Sequence, residues 1–143
     1  MIRNALSWVG AMTAFAFTAA CASPTAATST STSSTPTTLT ENFSGAIAQT
    51  GTADYPFTVG AAGTVQVSLT SVAPLATMAL GLRVGSWNGT TCAPIIAAND
   101  DARTGATALT GTAAAGSYCV EVFDAGNIPV DWSVSYTVQV VHP

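Results

Sequence analysis

Residues 131–140 read DWSVSYTVQV, and their alternation decides the fold. Trp132, Val134, Tyr136, Val138 and Val140 are apolar, while Asp131, Ser133, Ser135, Thr137 and Gln139 stand between them. Successive side chains of an extended chain point to opposite faces, so a period of two sets one face against a core and the other in water. The stretch therefore reads as a half-buried antiparallel strand, and its parity assigns all five apolar residues, Trp132 included, to the core.

Working outward, the same period recurs. Tyr118, Val120 and Val122 carry it, as do Met78, Leu80, Leu82 and Val84. So do Val65, Val67 and Leu69, and before them Tyr55, Phe57 and Val59. Weaker strands are expected at 43–48, 93–98 and 107–112. Gly60, Gly63, Pro74, WNGT at 87–90, NDD at 99–101, Gly116 and DAGNIP at 124–129 supply the turns between them. No segment of this region has a helical period of useful length. About eight short strands at this spacing predict an all-β domain over 41–143, an antiparallel β-sandwich of jelly-roll type.

Cys92 and Cys119 are the only cysteines of that domain. Neither has a CxxC neighbour or a nearby His, so a structural disulfide is expected rather than a redox or metal pair. It closes a loop of about 28 residues, worth roughly 3–4 kcal/mol in the chain-entropy view. Cys119 has the opposite parity to Tyr118, Val120 and Val122, which puts it on the outer face of its strand, within reach of a loop at 85–94.

The first 40 residues have a different composition. Arg3 precedes an uncharged, mostly apolar run at 5–20, too short to span a bilayer comfortably and ending in small residues. This is the pattern of a cleaved export signal over 1–20. The tetrapeptide TAAC at 18–21 resembles the bacterial lipobox, in which Cys21 is acylated and becomes the first residue, although Thr18 replaces the usual Leu. Ala20-Cys21-Ala22 also fits ordinary signal peptidase. Lipidation of Cys21 accounts for the odd third cysteine, and the lipoprotein is the favoured of the two readings. Thirteen of the nineteen residues at 22–40 are Ser or Thr, so 21–40 is expected to be a disordered tether with nothing to bury.

Charge and inventory exclude several functions. The chain has no Lys and, beyond Arg3, only Arg83 and Arg103 to set against seven carboxylates. Two separated cations cannot neutralise a row of phosphates, so nucleic acid is excluded as a partner, and membrane contact is left to the lipid anchor alone. The sole His, His142, lies one residue from the end, where chains fray. Without a placed base, no enzyme is expected; a hydrolase working through paired carboxylates is the less favoured alternative, since the acidic residues sit mostly in turns and at strand ends. Asn99, Asp100 and Asp101 offer oxygen ligands suited to Ca²⁺, but Asn and Asp are also ordinary turn formers. Trp87, in GSWNGTTC, is positioned either to stack on a flat ligand such as a sugar or to pack beneath its own loop beside Cys92. The expected function is non-catalytic: an envelope-tethered or secreted module that binds a polysaccharide or a surface protein, or else a purely structural, self-associating surface protein.

The order FSGAIA (43–48), DYPFTV (54–59), AGTVQVSL (62–69), GSYCVEV (116–122) and VSYTVQV (134–140) resembles bacterial pre-peptidase C-terminal domains. The resemblance implies a jelly-roll-like sandwich of the sort appended to secreted enzymes or surface proteins. Some relatives bind collagen-like or polysaccharide material and some bind calcium. The disulfide is not general to that family, so the fold is carried over and no binding site is.

Overall fold

The computed structural model describes residues 37–143, which form eight strands and no helix. In chain order these are β1 (Leu39–Ala48), β2 (Thr52–Val59), β3 (Gly63–Ala73), β4 (Leu80–Trp87), β5 (Cys92–Ala102), β6 (Thr107–Ala113), β7 (Gly116–Phe123) and β8 (Ser133–His142). They make two four-stranded antiparallel sheets, ordered β1-β8-β3-β6 and β2-β7-β4-β5. Every connection except β4–β5 crosses from one sheet to the other. This winding is a jelly roll.

The core follows from the alternation. Val134, Tyr136, Val138 and Val140 of β8 face Val65, Val67, Leu69 and Val72 of β3 within one sheet, and Phe57, Val59, Leu80, Leu82, Val120 and Val122 across from it. Ile128, from the β7–β8 loop, closes one end of this core.

Three expectations need correction. Trp132 is not in the core: it precedes β8 and is 41 % exposed. Residues 129–132 form a turn in which the Trp132 N–H donates to the Pro129 carbonyl, and Asp131 takes a left-handed φ of 64°. The strand's parity therefore starts only at Ser133. His142 does not fray. β1 begins at Leu39, two residues before the expected boundary, and Leu39 pairs with His142, which is buried. Finally, Asn99, Asp100 and Asp101 are not a turn, because β5 continues through them to Ala102 opposite Leu80.

Four loops share one end of the sandwich and are bonded in sequence. Asp124 accepts from Thr50 in the β1–β2 turn, and Asn127 donates to Ala79 before β4. Arg103 and Thr104, after β5, donate to the Thr77 and Ala76 carbonyls. This end carries exposed Leu75, Val130 and Trp132. The opposite end carries the β2–β3, β4–β5 and β6–β7 turns together with Leu39 and His142.

Candidate functional site

The two open flanks of the sandwich differ because their inward-facing residues differ in size. At one flank β1 lies against β2. Phe43 stacks on Tyr55 with ring centroids 5.2 Å apart, and the Tyr55 and Tyr136 hydroxyls are bonded at 2.8 Å. Burial and that bond both hold the Tyr136 phenol well above its ordinary pKa. Gly45 is glycine for a steric reason, since a Cβ there would occupy the space of the two hydroxyls. This flank is full.

At the other flank β5 faces β6; β5 is rich in Ala, and β6 is made of Thr, Ala and one Gly around a single Leu. Inward-facing positions of β6, set by their register with Val67, Val65 and Gly63, are Leu109, Gly111 and Ala113. A Cβ on Gly111 would meet nothing within 4 Å. On β5 the register slips between Val84 and Gly85, so that Ile96 is left unpaired as a bulge and is 60 % exposed. Too little side chain stands between the sheets here, and an apolar cleft of about 160 Å³ opens toward the core. Val65, Val67 and Val84 form its floor, Leu109, Gly111, Ile96 and Ala97 its walls, and Phe57 and Tyr118 one end. The Tyr118 hydroxyl donates its proton to the Ala114 carbonyl at 3.1 Å. No charged side chain lines the cleft.

The sequence candidates fall elsewhere. Cys92 and Cys119 are bonded, with Cα atoms 5.6 Å apart, inside the limit of about 7 Å for a disulfide. Cys119 takes the parity expected of the outer face, yet it is buried, because the bridge and Pro56, its register partner on β2, lie on either side of it. Trp87 is not in a loop: it is the last residue of β4, directly opposite Cys92 and half-buried. Asn99 spans the open flank, its side-chain amide donating to the Ala108 carbonyl at 2.9 Å. Asp101 is paired with Arg103 at 2.7 Å, and Asp100 is exposed. No group of three or more His, Cys, Asp or Glu side chains gathers among the described residues. Cys21 lies outside the described residues, as do the expected signal and most of the tether.

Most carboxylates already have partners. Glu121 pairs with Arg83 at 2.9 Å, and Arg83 also lies over the Phe123 ring, 3.8 Å from its centroid. Glu41 bonds the His142 Nε2 at 2.9 Å. Asp124 Oδ1 accepts from the Gly126, Asn127 and Ile128 amides and its Oδ2 from Thr50. Burial pushes the Asp124 carboxyl up, and the four amides outweigh this and hold it below the usual carboxylate range.

Sequence reasoning missed the cleft and the exposure of Trp132. Gly111 inside an alternating strand was the signal for the first, since an inward glycine leaves a gap wherever no neighbour fills it. No family model matches the chain, and no curated protein matches it.

Proposed function

We propose that the chain is an exported, non-catalytic binding module, held at the cell envelope by lipid on Cys21, that takes an apolar group of an extracellular protein or polymer into the cleft between β5 and β6. The observation that carries this reading is the cleft itself: an apolar opening to the core at one flank while the other is packed shut. Its chemistry favours an apolar protein side chain over a sugar, because a sugar needs several polar partners and the lining offers only Thr110, Thr112 and a Tyr118 hydroxyl whose proton is already donated. The strand motifs that resemble pre-peptidase C-terminal domains fit a binding role on the same architecture. The non-catalytic reading is supported by the bonds that Glu41, Asp101, Glu121 and Asp124 already make and by His142, which is buried on β8 and bonded to Glu41 of β1.

The cleft is close in size to cavities of about 150 Å³ that take up benzene. Benzene is therefore expected to shift the NMR signals of the Val65, Val67 and Val84 methyls. Gly111→Leu fills the open space and should abolish those shifts while leaving the fold intact. Wild-type protein indifferent to benzene would remove the cleft as a site. The anchor is read separately, by mass spectrometry of membrane-extracted protein: an acylated Cys21 at the N-terminus is expected, and an unmodified start at Ser23 would mean ordinary secretion.

A further inference from the structure

The four edge strands of the sandwich are not equally protected. A bare edge invites another chain, and proteins blunt edges with charge, proline, bulges or cover. β1 carries Glu41, β2 carries Asp54 and Pro56, and β5 carries Pro94, Asp100, Asp101 and register shifts. β6, TALTGTA, has no charge and no proline over its seven residues, and its one register shift, at Ala108, leaves the stretch from Leu109 to Ala113 regular. It is also the strand that borders the cleft. Its free side can be assigned. The Ala108 carbonyl accepts from Asn99 of β5, so it points away from β3, and in an antiparallel strand the peptide groups of Thr110 and Thr112 then point the same way.

We propose that this edge is completed by β6 of a second copy of the chain, the two strands pairing antiparallel about a twofold axis at Thr110. The proposal rests on the reading of the open flank as a binding site and names its occupant. Three observations select a second copy. The register centred on Thr110 sets Leu109 of each strand opposite Gly111 of the other, so the largest inward side chain of β6 faces the strand's own glycine, whose Cβ space is empty. A twofold interface must be self-complementary, and this register is. The chain is acidic, with a net charge of −4, so two copies approach most easily where neither carries charge, and β6 is that place. Pairing here would also cover Ile96, the exposed bulge residue beside the edge. A seven-residue edge is a small interface, so association is concentration-dependent.

The test is amide hydrogen exchange on the full chain carrying Cys21→Ser, which takes the lipid anchor out of the comparison, from dilute solution to about 1 mM. Protection of the Thr110 and Thr112 amides is expected to rise by roughly tenfold or more with concentration. Thr110→Pro removes the N–H at the axis without touching the β3 ladder and should abolish that rise at Thr112. If the proline variant does not fold, Thr110→Lys serves instead, since it sets two like charges opposite each other on the exposed face. Amides at 110 and 112 that exchange freely at about 1 mM, or a rise that survives Thr110→Lys, overturn the proposal. Unprotected amides in a chain whose cleft still takes up benzene overturn self-pairing alone, whereas a cleft that ignores benzene counts against the binding-module reading.

Discussion

At the scale of single residues, Asp124 does the most with one side chain. Its carboxylate gathers the Thr50 amide of the β1–β2 turn and three amides of its own loop. Thr50 needs the hold: it is β-branched and sits at a left-handed φ of 59°, a conformation such residues rarely adopt. Asp124→Ala is expected to cost about 2 kcal/mol in chemical denaturation, the range for hydrogen bonds to a charged group. The pH dependence has a definite sign. The folded-state carboxyl titrates below its unfolded value of 3.8. Its stabilisation is therefore complete above that value and is lost as the pH falls through the lower, folded one. Asp124→Asn has no such titration, so the stability gap between wild type and this variant should narrow steadily below about pH 4. A gap that stays constant on acidification would mean the carboxylate's charge is not what matters.

At the scale of strands, the two flanks make a paired prediction. Gly45→Ala drives a methyl into the space of the Tyr55 and Tyr136 hydroxyls and should destabilise by about 1–3 kcal/mol, the usual cost of overpacking. Gly111→Ala, an identical change on an opposing flank of the same sheet, should cost nothing, because open space awaits the methyl. Equal losses in thermal melts would contradict the difference in packing described above. The strands themselves were largely legible in the sequence, since β2, β3, β4, β7 and β8 each alternate strictly enough to announce their inner face. What alternation could not convey was where it stops. Asp131 breaks parity through one backbone angle, which moved Trp132 from the expected core to the surface. β5 runs on past 99–101 because Leu80 and Leu82 supply pairing partners, a long-range contact that Asn-Asp-Asp, read locally, contradicts. The cleft left only Gly111 as a cue, because it is made by small residues on the consecutive strands β5 and β6, and small residues carry almost no periodic signal.

At the scale of the whole molecule, the Cys92–Cys119 bond joins the start of β5 to the middle of β7, across the intervening β4. All of these strands lie in one sheet, so the bridge staples a sheet rather than joining the two layers. Replacing both cysteines with Ala, which leaves no hydroxyl in the buried place of Cys119, should lower stability by roughly 2–4 kcal/mol. Circular dichroism should show the strand content unchanged, because the alternating apolar faces specify the sandwich without it. A loss of strand signal would mean the bridge is needed to form the fold and not only to stabilise it. The pairing itself was readable from cysteine counting, but the burial of Cys119 was not, since parity reports which face a residue occupies and not what covers that face.

The pairing of Leu39 with His142 places the two ends of the jelly roll side by side. The path of the chain is thus close to a ring, opened at a point the strand ladders do not depend on. Cutting that ring elsewhere is then a matter of choosing an exposed turn, and Ala114 and Ala115 between β6 and β7 offer one. A circular permutant that starts at Ala115, runs through Pro143, crosses a short linker to Thr37 and ends at Ala114 keeps every strand partner. Only the order in which the strands leave the ribosome would change.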